Sequence, residues 1–196
     1  MTQAITAWQA ELVNDYDADY LLSGIKEGFL ITDEDANPVR SCTRNYKSAT
    51  VTNREATEAA IVNEVNLGRY IICKDKPFIT SSLGAIPKNN NSIRIIHDLS
   101  RPKGGVNQWS TNNSVAYATI DDALKLTKQS SYLAKVDLKN AYRLVPIHPK
   151  CYRLTGFQWK FTGDSHTTSL FDAWLPFGAS KACRILGQFP MPWQEL

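Results

Sequence analysis

Residues 134–142 read Ala-Lys-Val-Asp-Leu-Lys-Asn-Ala-Tyr, and Pro-Ile-His-Pro follows at residues 146–149. Apolar side chains alternate with polar ones here, which predicts a β-strand that presents one set of residues to the core. That set is Tyr132, Ala134, Val136 and Leu138. Asp137 lies near the end of this strand, on the opposite face. An aspartate at a strand end commonly caps the following turn, so a chemical role for Asp137 depends on the motifs around it.

Two flanking stretches carry patterns of their own. Upstream, two apolar runs enclose the polar sequence Asn-Asn-Asn-Ser at residues 89–92. Apolar runs on both sides of a short polar tip predict a β-hairpin, with Lys88 and Arg94 on either side of the tip. Downstream, Leu-Pro-Phe-Gly at residues 175–178 combines a proline and a glycine, which favours a tight turn with exposed backbone.

Together these motifs resemble those of reverse transcriptases, and most closely those of DIRS (tyrosine-recombinase) retrotransposons. The matching sequences are Ile-His-Asp-Leu-Ser at residues 96–100, Thr-Ile-Asp-Asp-Ala at residues 119–123 and Leu-Pro-Phe-Gly at residues 175–178. The resemblance extends from about residue 20 to about residue 185, and it is specific because several motifs agree in order and spacing. It implies an α+β fold: the fingers and partial palm of a right-hand polymerase, with helices packed on an antiparallel sheet.

The resemblance also implies roles for individual residues. Lys88 and Arg94 would contact the triphosphate of an incoming dNTP, although hairpin cations also serve solubility and protect sheet edges. Asp137, with the backbone carbonyl of Leu138, would bind Mg²⁺ for template-directed nucleotidyl transfer. Tyr142 would stack under the sugar and exclude a 2′-hydroxyl. The same resemblance assigns two further residues to the nucleotide pocket, Phe177 and Gly178.

The Asp-Asp pair at residues 121–122 is not the paired carboxylate motif of a polymerase. In reverse transcriptases that motif follows Leu-Pro-x-Gly, whereas this pair precedes Asp137. Thr119 and Asp122 have the spacing of a capping box, which predicts the start of a helix. His97, beside two isoleucines, is interpreted as a packed residue rather than a general base.

By resemblance, the chain divides into four parts. These are a helical and linker extension (1–50), a fingers-like region with the hairpin (51–133), a partial palm (134–185) and an atypical tail (186–196). After Ala182 the sequence departs from the family, and no aromatic-x-Asp-Asp motif follows. One aspartate cannot hold two Mg²⁺ ions, because each needs several oxygen ligands. We therefore expect a C-terminally truncated reverse transcriptase, inactive on its own. The alternatives are a non-catalytic nucleic-acid-binding remnant of a retroelement, or a fragment that does not fold stably.

The composition fits a globular intracellular protein. Residues 81–196 carry 14 Lys or Arg and only 7 Asp or Glu, a basic excess that suits phosphate backbones but also a solvated surface. The four cysteines lack the close spacing of a zinc site, and no signal-like start or apolar run of membrane-spanning length is present. The expected partners are an RNA or DNA template with its primer and a dNTP. A membrane is not expected, and the location would be cytoplasmic or nuclear.

Overall fold

The computed structural model describes residues 4–88, 92–111, 115–134 and 137–189. Helices and strands are mixed along the chain, as expected for an α+β fold. The α-helices are α1 (Ile5–Glu11), α2 (Ala18–Glu27), α3 (Arg54–Asn66), α4 (Ile120–Leu126) and α5 (Ala182–Gly187). Shorter helical turns are a π-helix at Ser48–Thr52 and 3-10 helices at Val106–Trp109, Ala141–Leu144 and Pro149–Leu154. Among these described helices, none is long and apolar enough to cross a membrane.

The larger sheet has five strands in the order β1-β3-β6-β7-β2. Their bounds are β1 (Ser41–Cys42), β2 (Tyr70–Cys73), β3 (Ile79–Thr80), β6 (Gly156–Trp159) and β7 (Thr168–Asp172). Strand β7 pairs antiparallel with both β2 and β6. Strand β3, however, runs parallel to β1 and β6, so the sheet is mixed rather than wholly antiparallel as expected.

The predicted hairpin forms a separate sheet of two antiparallel strands, β4 (Ser82–Pro87) and β5 (Ile93–Asp98). Its register runs from Ser82 opposite Asp98 to Pro87 opposite Ile93. This places Lys88 and Arg94 at the same end of the hairpin. Residues 89–91 of the predicted tip lie outside the described residues.

Two hydrophobic clusters hold these elements together. The larger joins α1 and α2 to the loops before β6 and after β7, and includes Leu12, Phe29, Ile147 and Leu175. The smaller lies between α3, the hairpin and the larger sheet, and includes Ile61, Leu83, Phe157 and Trp159. Burial of these apolar side chains is the main favourable contribution to folding. The smaller cluster fixes the hairpin against the sheet, so it also positions the hairpin's cationic end.

The predicted strand around Asp137 is absent from the described part of that segment. Residues 131–134 and 137–138 are irregular, and residues 135–136 lie outside the described residues. Tyr132 is 102% exposed and Leu138 is 45% exposed, so these two members of the expected core face are not buried. No described strand pairs with this segment. An alternating sequence needs a neighbouring strand for its backbone hydrogen bonds and a surface to cover, and the described residues provide neither.

The helix predicted at Thr119 is confirmed. The Thr119 side chain accepts a hydrogen bond from the backbone N–H of Asp122, and the Asp122 carboxylate accepts one from the backbone N–H of Thr119. Both halves of a capping box are therefore formed. The interpretation of this Asp-Asp pair as a helix start, not a catalytic pair, agrees with the structure.

Candidate functional site

A cavity of about 400 Å³ opens between the hairpin, α3, β7 and the 3-10 turn Ala141–Leu144. It brings together side chains that are far apart in sequence. Five of the residues given a binding role by the resemblance line it: Lys88, Arg94, Leu138, Tyr142 and Phe177. Gly178 is the next residue along the chain from Phe177. Asp137 is exposed and is not among the lining residues.

Aromatic rings and one cation form a wall of this cavity. The guanidinium carbon of Arg94 lies 4.8 Å from the centre of the Phe177 ring. The rings of Tyr142 and Phe177 meet edge to face, with centres 5.6 Å apart. The Tyr142 hydroxyl lies 3.1 Å from the Cys183 sulfur, and burial is the main cause that raises the pKa of this phenol. The wall therefore combines one cation with two aromatic rings.

The Leu-Pro-Phe-Gly turn is fixed directly to the hairpin. The backbone N–H of His97 donates a hydrogen bond to the carbonyl of Phe177 at 3.0 Å. Gly178 has φ = +140°, and a Cβ at this position would collide with the carbonyl oxygen of His97. Asn107 braces the same turn, because its amide donates to the Gly178 carbonyl at 2.8 Å and accepts from the Ser180 N–H at 2.9 Å. Only glycine allows the turn to approach the strand this closely.

The floor of the cavity is a buried ion-pair network that sequence reasoning missed. Arg143 donates to Asp172 at 2.6 Å through one terminal nitrogen and to Glu64 at 2.6 Å through the other. Its side chain is only 14% exposed, and that of Asp172 only 1%. The guanidinium also lies 5.2 Å from the centre of the Tyr70 ring. The network joins α3, the Ala141–Leu144 turn and the two paired strands β2 and β7.

Burial and charge oppose each other in this network. Burial alone would lower the pKa of the Arg143 guanidinium, but the adjacent Asp172 and Glu64 carboxylates raise it. Burial raises the pKa of the Asp172 carboxyl, and Arg143 counteracts that rise. A charged residue within the apolar run Leu170-Phe171-Asp172-Ala173 requires a partner when it is buried. That aspartate was the one sequence signal that could have revealed the network.

His97 lies beside this network as a packed, neutral residue. It is 2% exposed, and burial lowers its pKa to about 4. Its Nε2 lies 3.3 Å from the carbonyl oxygen of Gly156, and its Nδ1 has no hydrogen-bond partner among the described residues. The imidazole therefore carries no charge at neutral pH, in agreement with a structural role.

The described residues do not form a site for a pair of metal ions. Within residues 4–88, 92–111, 115–134 and 137–189, no three His, Cys, Asp or Glu side chains lie close enough to hold a metal. Asp137 and the carbonyl of Leu138 would supply one carboxylate and one backbone oxygen. Two Mg²⁺ ions in a polymerase site require more carboxylate oxygens than that. This donor set does not fit two-metal chemistry.

Sequence comparison gives no relatives, since no protein-family model and no curated protein matches the chain. Structure comparison finds proteins with a similar fold. The native crystal structure of prototype foamy virus protease–reverse transcriptase matches with a TM-score of 0.56 and 18% identity over 77% of this chain. The selenomethionine-labelled CSH mutant of the same protein matches with a TM-score of 0.57 and 18% identity, also over 77%. The chain spans 18% of the length of each. These matches show that the chain has a reverse transcriptase-like fold.

Proposed function

We propose that the residues lining the cavity form the nucleotide-binding region of a reverse transcriptase-like domain from a retroelement of the DIRS type. The observation that carries this proposal is the composition of the cavity. Lys88, Arg94, Tyr142 and Phe177 come from three separate parts of the chain and line one space of about 400 Å³. Such a volume lies within the range of small-molecule sites in proteins.

Each lining residue has a chemical task in this proposal. Lys88 and Arg94 are exposed at the turn end of the hairpin, where they would neutralise a triphosphate. Tyr142 would pack against the sugar and disfavour a 2′-hydroxyl, while Phe177 holds the Tyr142 ring in place from the side. Gly178 allows the Phe177 carbonyl to bond to the hairpin, so it fixes the ring's position. The partners would be a dNTP and a primer on an RNA or DNA template.

In this proposal, the 196-residue chain does not catalyse nucleotidyl transfer by itself. In nucleotidyl transfer, Mg²⁺ ions activate the primer hydroxyl and stabilise the leaving group. Asp137 is exposed in an irregular segment, and no aspartate follows Asp172 in the sequence. We propose that the 196 residues bind nucleotide and nucleic acid but do not extend a primer.

Nucleotide binding can be tested directly by equilibrium dialysis with labelled dTTP. The double variant Lys88→Gln/Arg94→Gln should bind at least about tenfold more weakly, because hydrogen bonds to charged groups contribute roughly 1.5–3 kcal/mol. A control that removes the same charge elsewhere is Lys26→Gln/Lys47→Gln, both exposed. If the two double variants bind dTTP with the same affinity, the cavity is not the nucleotide site.

Primer extension on an RNA template with dNTPs and Mg²⁺ tests the absence of catalysis. The unmodified chain and its Asp137→Asn variant should both leave the primer unextended. Extension by the unmodified chain that disappears in Asp137→Asn would show that the missing carboxylates are supplied from a source that we have not identified.

A second candidate is a nucleic-acid-binding protein without a nucleotide site. The basic excess of residues 81–196 favours it, since phosphate contacts alone support binding without sequence preference. Salt-dependent binding to a primer–template, together with no measurable affinity for dTTP, would select this candidate over the first.

A further inference from the structure

The guanidinium groups of two arginines stack on the aromatic ring of Phe78. The guanidinium carbon of Arg40 lies 5.5 Å from the centre of its ring, and that of Arg153 lies 4.9 Å from it. Both arginines are exposed, and Phe78 is half-buried. Among the aromatic rings of the described residues, this is the only one with two cations stacked on it. We call Arg40, Phe78 and Arg153 the Phe78 patch.

Three elements fix this arrangement. Strand β1 runs parallel to β3 with Ser41 opposite Ile79, so Arg40, one residue earlier, lies beside Phe78. The Ser41 N–H donates to the Phe78 carbonyl at 3.2 Å and fixes that register. Arg153 comes from the 3-10 helix Pro149–Leu154. Residues three apart in a 3-10 helix share a side, so Lys150 adds a third cation to the same side of that helix.

The two arginines of the Phe78 patch differ from most other ring-stacked arginines of the described residues because they do not pair with a carboxylate. Four other stacked arginines also pair with a carboxylate: Arg54, Arg69, Arg101 and Arg143. Arg40 and Arg153 have no carboxylate within 4.0 Å in the described part of the chain, and Arg94 at the cavity is the third such case. Stacking on an aromatic ring orients a guanidinium and leaves its N–H donors free. Oriented, unpaired guanidiniums are suited to bind phosphate oxygens through two hydrogen bonds each.

We propose that the Phe78 patch binds the phosphate backbone of a nucleic acid strand, as a contact surface separate from the cavity. None of Arg40, Phe78 and Arg153 lines the cavity. The choice of nucleic acid as the polyanion rests on the proposed function, whereas the affinity for phosphate groups rests on the two unpaired guanidiniums. Because the two arginines cover the Phe78 ring, the ring is not available to stack on a base. The patch would therefore recognise phosphate charge and not base sequence.

The test is fluorescence anisotropy with a labelled single-stranded oligo(dT) 20-mer over a series of salt concentrations. For the double variant Arg40→Gln/Arg153→Gln, the slope of log K against log salt should be about 1.4 smaller, since each single-strand phosphate contact contributes roughly 0.7. The same release of counterions predicts a loss of affinity on the order of 10- to 30-fold near 0.1 M salt. Arg40→Lys/Arg153→Lys, which keeps both charges, should retain most of the salt slope.

Lys26→Gln/Lys47→Gln removes the same charge away from the patch and should change the slope little. Equal losses in this control and in the patch variant would overturn the proposal, because binding would then follow net charge. Failure of the unmodified chain to bind the oligonucleotide would overturn it as well, and binding to phosphatidylserine vesicles or oligoglutamate instead would identify another partner. Thermal unfolding followed by circular dichroism checks that each variant is folded.

Measuring dTTP binding of the two double variants tests the Phe78 patch and the nucleotide cavity separately. Lys88→Gln/Arg94→Gln should lose dTTP binding with the patch intact, and Arg40→Gln/Arg153→Gln should keep dTTP binding. Loss of dTTP affinity in the patch variant would show that the two surfaces are not separate and would contradict the proposal.

Discussion

The Ala141–Leu144 turn and the segment at residues 115–134 lie close in sequence and differ in burial. In the turn, the charged side chain of Arg143 is 14% exposed and bonded to two carboxylates. In the segment, Leu126 and Leu133 are each 83% exposed. The fold thus buries a cation and leaves leucines in solvent. Burial follows the partners that neighbouring elements provide, because a paired charge can be buried whereas an apolar residue without a facing surface cannot.

The contrast between the buried turn and the exposed segment predicts the largest effect on stability at Arg143. Arg143→Met should lower the free energy of unfolding by about 3–5 kcal/mol, because Asp172 would remain buried without its partner. Urea denaturation measures this loss. The exposed Arg44 provides the matched control, and Arg44→Met should change stability by no more than about 0.5 kcal/mol. The double variant Arg143→Met/Asp172→Leu should recover much of the loss, since the Arg143–Asp172 pair is then removed whole and Glu64 still pairs with Arg69 at 3.4 Å. Similar small effects for Arg143→Met and Arg44→Met would contradict a stabilising role for the network.

The neighbouring His97 should make stability depend on pH. Burial lowers its pKa from 6.5 to about 4, so between these values the unfolded state binds a proton that the folded state does not. Stability should therefore rise as the pH increases from about 4 to 6.5, by up to about 3 kcal/mol from this residue. Urea denaturation of the unmodified chain and of His97→Met across this range isolates the contribution. The buried Asp172, whose pKa is raised, is common to both proteins and cancels in the difference. A pH dependence that is the same in both proteins would show that His97 is not titrating as proposed.

A smaller effect is expected at the turn that joins Phe177 to the hairpin. Gly178→Ala should lower the unfolding free energy by about 1–3 kcal/mol, because φ is +140° and the new methyl group meets the His97 carbonyl. Gly163→Ala separates the two causes, since Gly163 also has a positive φ but no atom within 4 Å of an added Cβ. Gly163→Ala should lower the unfolding free energy by only about 1 kcal/mol. Gly178→Ala should also weaken dTTP binding, whereas Gly163→Ala should not. Equal effects of the two variants on stability would mean that the close approach at Gly178 is unimportant.

The sequence predicted the hairpin and the helix start at Thr119 because both depend on local patterns. Apolar runs on both sides of a polar tip specify β4 and β5, and a capping box needs only residues three apart. The strand predicted around Asp137 is absent from the described residues, because alternation alone says nothing about whether a neighbouring strand is available. The Arg143 network was missed for a related reason: its members, Glu64, Arg143 and Asp172, meet only in the folded chain. The cavity residues could be named from motif resemblance, but their shared space depends on tertiary packing.

The smallest effect is expected in the exposed segment, where the comparison is also easiest to overturn. Leu126→Ser and Tyr132→Ser should each change the unfolding free energy by less than about 0.5 kcal/mol, because both side chains are almost fully in solvent. Leu83→Ala, in the smaller hydrophobic cluster and fully buried, should cost about 2–5 kcal/mol in the same urea experiment. A loss above about 1.5 kcal/mol for either serine variant would show that the segment packs against a surface in solution. For Tyr132→Ser, such a loss would mean that the strand predicted around Asp137 has a partner after all. For either variant, the contrast with the Ala141–Leu144 turn would disappear.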